Sequence, residues 1–228
     1  NTILMKKLIL LFVSFAMVMS AQAQASHKFL QKQIRKHQDC KCVTITQHNG
    51  DAMLYGNSQW EETGCPVEFS RMLFDLSEKN SEIRDIHLSE LGRWVIIYGN
   101  NELSYDLMYE SLKHKIRECQ EDQEIITTVT FNDSGNWIVV TKDDFSASSD
   151  ELLDWLEDGR EKYGQLWTAC VTEDAAVAVY ELGFKYYGKV PRDLKNALRA
   201  CKSDVYTVKI SGKEWFFKCT DGHSSYHL

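Results

Sequence analysis

Residues 94–119 read WVIIYGNNELSYDLMYESLKHKIREC, and residues 176–201 read AVAVYELGFKYYGKVPRDLKNALRAC. The two stretches align without a gap at an offset of 82. Val95/Val177, Tyr98/Tyr180, Tyr105/Tyr187, Leu112/Leu194, Lys113/Lys195, Arg117/Arg199 and Cys119/Cys201 are identical pairs. Identity spread over a strand-like and a helix-like half marks a repeated supersecondary unit. Shorter echoes halve the spacing. Leu54-Tyr55-Gly56-Asn57 returns as Ile97-Tyr98-Gly99-Asn100, and Gly92-Arg93-Trp94-Val95 as Gly135-Asn136-Trp137-Ile138, each 43 residues on. Lys213-Glu214-Trp215-Phe216 reads as a last, degenerate copy.

Each copy predicts two strands and a helix. First strands are expected at 43–47, 83–88, 125–131, 166–171 and 205–210, and second strands at 52–55, 94–98, 137–141, 176–180 and 215–219. Asn49-Gly50 and Asp133-Ser134-Gly135 supply the positive φ that hairpin turns need. Tyr105, Met108, Tyr109, Leu112, Ile116 and Cys119 recur on a 3.6-residue period, which predicts one helix over that run. Phe69, Met72, Leu73 and Leu76 make a shorter stripe. Pro66 and Pro191 stand where a first helical turn loses nothing by lacking an N–H. Ser148 with Glu151 reads as a capping box for a helix carrying Leu152, Leu153 and Leu156. A further helix is expected at 27–38, where it would cover the open end of the array.

The fold expected is therefore α+β. About four and a half ββα repeats, at 43–82, 83–124, 125–164 and 165–204 with a terminal hairpin at 205–219, join into one antiparallel sheet with helices on one face. A closed ring of five hairpin units is the alternative. Residues 24–228 form one domain, since no low-complexity linker interrupts them.

The strands resemble the tandem G-x-W-[VI] repeats of exported bacterial proteins of unassigned function. The resemblance rests on Gly92-Arg93-Trp94-Val95 and Gly135-Asn136-Trp137-Ile138. Units one and four depart from it, with Asp51 and Ala176 at the Trp position. It implies a style of fold and no activity.

Residues 1–23 read as a secretory signal with a few residues upstream. Met5 is the expected start, Lys6 and Lys7 the basic region, residues 8–19 the apolar run, and Ala21-Gln22-Ala23 the cleavage motif. Cleavage is expected after Ala23, with Ala25 as second choice. Export to the periplasm or beyond follows, with no membrane span left after cleavage. It also turns Cys40, Cys42, Cys65, Cys119, Cys170, Cys201 and Cys219 into a disulfide question with one thiol left over. Cys40 or Cys42 with Cys65 is one expected bridge. Cys119 and Cys201 read as small buried residues, with a Cys201 bridge to Cys170 or Cys219 as the alternative.

A formal charge of −7 lacks the basic footprint of a nucleic-acid binder. No P-loop, dinucleotide fingerprint, HExxH or nucleophile elbow is present, so no cofactor and no metal is expected. The run from Asp144 to Asp150 lacks the Gly and Glu of a calcium loop and reads as a helix start. Trp94, Trp137 and Trp215, with Tyr98, are the binding candidates: either an aromatic platform for a glycan or protein ligand, or a recurring core residue. The function expected is a non-enzymatic binding module. An enzyme whose site is assembled across repeats, or an inhibitor of an exported enzyme, are the alternatives.

Overall fold

The computed structural model describes residues 24–228, and the expected signal segment lies outside them. The chain is α+β and repetitive. Helix α1 (residues 24–36) leads into β1 (Cys40–Thr44), β2 (Asp51–Tyr55), β3 (Gln59–Thr63) and α2 (Val67–Glu78). The second unit is β4 (Ile83–Leu88), β5 (Trp94–Tyr98), β6 (Glu102–Asp106) and α3 (Glu110–Glu121). The third is β7 (Ile126–Phe131), β8 (Trp137–Thr141), β9 (Phe145–Ala147) and α4 (Asp150–Tyr163). The fourth is β10 (Leu166–Val171), β11 (Ala175–Tyr180), β12 (Gly183–Gly188) and α5 (Arg192–Ala200), and the fifth β13 (Val205–Ser211), β14 (Glu214–Cys219) and β15 (Ser224–His227).

Each unit thus has a third strand, and the strands form five separate antiparallel sheets of three rather than one continuous sheet. The helical stripe expected from Tyr105 is shortened accordingly. Tyr105 lies in β6 and Tyr109 caps α3, so only Leu112, Ile116 and Cys119 form the buried helical face. The cap of α4 is also one residue on: Ser149 accepts from the Leu152 amide, while Ser148 Oγ accepts from the Trp137 amide.

One helix fills each seam between neighbouring units. Phe69, Leu73 and Leu76 of α2 pack between Leu54 of unit one and Ile86 and Ile96 of unit two. The clusters around α3, α4 and α5 repeat this between the next pairs. The last unit does not end the array. Phe216 of β14 joins Val43 and Met53 of unit one, and α1 supplies Leu30 and Ile34 to that cluster. The helix expected to cover an open end instead fills the seam where unit five returns to unit one. The order α–(βββα)4–βββ is a ring whose fifth helix comes from the N-terminal side.

A bulge near the start of every first strand sets which way its side chains point. The register shifts between Cys40 and Cys42, Ile83 and Asp85, Ile126 and Thr128, Leu166 and Thr168, and Val205 and Thr207. A bulge turns successive residues to the other face. Before it, Ile83 enters the seam; after it, Ile86 and Leu88 face the seam while Asp85 and His87 face the middle of the ring. One glycine is fixed by crowding: a Cβ on Gly159 of α4 would lie 2.1 Å from the Tyr180 hydroxyl, which donates to the Leu156 carbonyl at 2.9 Å.

Candidate functional site

The first strands bring three tiers of equivalent residues to the middle of the ring. The first tier is Cys42, Asp85, Thr128, Thr168 and Thr207, all buried. The second is Thr44, His87, Thr130, Cys170 and Lys209, also buried. The third, at the turns, is Thr46, Ser89, Asn132, Thr172 and Ser211. Threonine is the usual occupant, and its hydroxyl binds the next unit. Thr44 Oγ1 accepts from the Leu88 amide at 2.9 Å, Thr130 Oγ1 from the Val171 amide at 3.1 Å, and Thr128 and Thr168 meet at 3.2 Å. At the rim, Glu90 accepts from the Gln47 amide, Asp133 from Ser89 Oγ and the Leu91 amide, and Glu173 from the Asp133 amide.

Ionisable groups interrupt this column. Lys209 Nζ lies 2.8 Å from Asp85 Oδ1 and donates to the Ile86 carbonyl at 2.9 Å, and Cys42 Sγ donates to Asp85 Oδ1 at 2.9 Å. Burial alone would depress Lys209, but the Asp85 carboxylate holds the ammonium above its ordinary range. Burial, then the Asp85 charge, push the Cys42 thiol up. His87 Nε2 sits 2.7 Å from the Phe131 carbonyl, and burial together with Lys209 drives its pKa down to about 3. The cavity at the mouth of this column, lined by His87, Cys170 and Lys209 among others, is only about 40 Å³. That is room for a few waters. Lys209 and Cys42 are both engaged with Asp85, and His87 with the Phe131 carbonyl, so the column holds the ring together.

A larger opening lies at the outer edge, where the repeat changes. The Trp position opens the second strand and meets the helix behind it. Trp94 lies edge-on to Phe69 of α2 at 5.9 Å, and Trp137 Nε1 donates to Ser111 Oγ of α3 at 3.1 Å. Trp215 lies in the core with Leu194 of α5. These three indoles are 6%, 6% and 4% exposed and offer no ring face to a ligand. Tyr98 is half-buried against the same α2 core as Trp94. The recurring-core alternative describes all three indoles.

The two departures from Trp differ from each other. Asp51 in unit one is fully buried, accepts from the Thr46 amide at 3.1 Å and lies 3.7 Å from His27 of α1. Ala176 in unit four puts no side chain in the place of the indole. Beside it a groove of about 280 Å³ opens between α4 and β11–β12, lined by Leu152, Trp155, Ala175, Ala176 and Tyr187. Trp155 and Tyr187 meet edge-on at 6.3 Å, and Tyr187 is 49% exposed. Glu151, Glu173 and Asp174 stand on the rim. The Tyr187 hydroxyl donates to Glu151 at 3.1 Å and holds the aromatic wall upright. Sequence reasoning looked for sites where Trp is present. The signal was the unit where it is missing.

The cysteine expectations are also resorted. Cys42 faces the axis and Cys65 Sγ donates to the Asp51 carbonyl at 3.4 Å, so the first hairpin is not stapled to its helix. Cys40 belongs to the α1 seam and Cys170 to the axis. Cys201 faces Cys219. Among the described residues no His, Cys, Asp or Glu cluster has metal-holding geometry, and no helix is long and apolar enough to cross a membrane. The acidic run on α4 is a solvated face: Glu157 pairs with Arg160, and Asp158 with Lys185.

No family model matches this chain, and no curated protein matches it.

Proposed function

We propose that this chain is an exported, non-enzymatic interaction module that grips an aromatic side chain of a protein partner in the groove beside Ala176. The observation that carries the reading is the missing indole. Units two, three and five fill the equivalent seam with their own Trp, and unit four leaves about 280 Å³ open there. The walls, Trp155 and Tyr187, suit ring-on-ring contact, which adds about 0.5–1.5 kcal/mol beyond area burial. The rim carries the carboxylates of Glu151, Glu173 and Asp174, with Glu173 held by the Asp133 amide and Ser134 hydroxyl and Asp174 paired with Lys189 at 3.2 Å. Such a rim favours a partner segment with N–H donors or basic residues next to its aromatic anchor. Export is supported by the order of residues 1–23.

The test is a binding screen with short basic peptides carrying one Trp, Tyr or Phe, alongside soluble oligosaccharides as the competing class. Ala176→Trp supplies the indole that the other units carry. We expect it to keep or raise Tm and to weaken peptide binding at least tenfold, with Trp155→Ala weakening it similarly. Binding left intact in both variants, or binding of saccharides alone, refutes the reading.

A further inference from the structure

We propose that Cys201 and Cys219 form a disulfide that ties the end of α5 to the end of β14, a modification site independent of the Ala176 groove. Their sulfurs lie 2.8 Å apart, closer than two unbonded thiols pack and a small movement from the bonded separation of about 2.05 Å.

The repeat supplies an internal control. Cys119 occupies in α3 the position that Cys201 occupies at the end of α5. The last residue of the following second strand is Thr141 for Cys119 and Cys219 for Cys201. In units one, two and four that residue is Tyr55, Tyr98 and Tyr180. Of the two helices with cysteine at this position, only α5 meets a cysteine at the end of the following second strand, while α3 meets Thr141. The three thiols of the first unit are directed elsewhere, Cys40 to the α1 seam, Cys42 to Asp85 and Cys65 to the Asp51 carbonyl.

Access fits the chemistry. Cys219 is buried and Cys201 half-buried, between surface depressions of about 360 and 220 Å³ that both include it. Cys201, the more exposed of the pair, meets the oxidant, while burial, then the contact with Cys201, push the Cys219 thiol up to about 12. The oxidant is a low-molecular-weight disulfide or the active disulfide of a thiol oxidoreductase. The Cys201 thiolate attacks one of its sulfurs and expels the first thiol. Cys219 then loses its proton, attacks Cys201 Sγ and expels the second. Two electrons and two protons pass from the protein to the oxidant, which leaves as two thiols. The bond closes a loop of 18 residues around the β13–β14 hairpin.

The test equilibrates the full chain with glutathione disulfide, then counts thiols in denaturant and maps peptides without reduction. We expect the count to fall from seven to five, with one linked pair containing Cys201 and Cys219. The oxidised form should melt about 5–10 °C above the reduced form. Cys119→Ser should leave the link and the shift intact. A doubly substituted Cys201→Ser, Cys219→Ser chain should melt at the same temperature with or without reductant. Seven persistent thiols, a link between other cysteines, or a double variant that still responds to reductant as the parent does would overturn the proposal.

Discussion

Units three and four meet at the axis through two hydroxyls, Thr128 and Thr168, at 3.2 Å. Unit five reaches unit two through an ion pair that crosses tiers, second-tier Lys209 with first-tier Asp85 at 2.8 Å. Asp85 occupies the position that is threonine in units three and four, yet its chemistry differs. Removing one hydroxyl leaves a neutral group that carries its own donor and acceptor. Removing one member of the ion pair leaves a bare charge, because both are nine-tenths buried or more.

The strongest way to break the comparison is to strand one charge. Lys209→Met should lower unfolding stability by about 3–5 kcal/mol in urea, because Asp85 is left buried without its ammonium. Adding Asp85→Leu should restore most of it. An unrescued double variant would mean that Cys42 and the Ile86 carbonyl depend on the pair as well.

The next effect is titration. His87 has a depressed pKa, so its contribution is present above the ordinary histidine value and is lost as pH falls toward about 3. At pH 4 the loss is about 3 kcal/mol. Asp51 runs the other way. Burial, opposed by His27, raises it to about 6, so its contribution is present below the ordinary carboxylate value and is lost as pH rises through about 6. The parent chain therefore shows the difference of two opposed slopes. His87→Gln should leave the Asp51 slope exposed, with stability rising as pH falls from 6 to 4. A parent-like profile in that variant would remove His87 from the account.

The smallest effect sharpens the hydroxyl side. Thr128→Val should cost about 1 kcal/mol, since Thr168 loses its partner, while Thr128→Val with Thr168→Val should return close to parent stability. Equal losses in the single and double variants would show that the hydroxyls act separately.

The second strands were legible because their β-branched and aromatic residues are buried on both sides: residues 94–98 and 137–141 were read to the residue. The third strands were not. Gln59–Thr63 and Glu102–Asp106 are ring-edge strands with half-exposed faces, so no apolar alternation marks them. Tyr105 and Tyr109 are four residues apart, which mimics a helical face although one lies in a strand and the other at a cap. The axis escaped for a different reason. Its members are 40 or so residues apart in sequence, and Asp85, His87 and Lys209 read singly as ordinary strand residues. The groove at Ala176 was visible as a departure from the Trp pattern, but only the seam geometry gives a missing side chain a volume.

Helix α1 and β14 lie at opposite ends of the described chain and share one core. That pairing defers the last act of folding. Contacts at the other four seams are local and can condense as each unit becomes available, but the fifth needs a loop spanning nearly the whole domain. A chain threaded through a secretion pore from its N-terminal side would hold Leu30, Ile34 and Val43 uncovered until Phe216 had crossed. If it is exported in this way, the partly emerged protein would be an unclosed arc, exposed to aggregation and proteolysis for as long as the crossing takes.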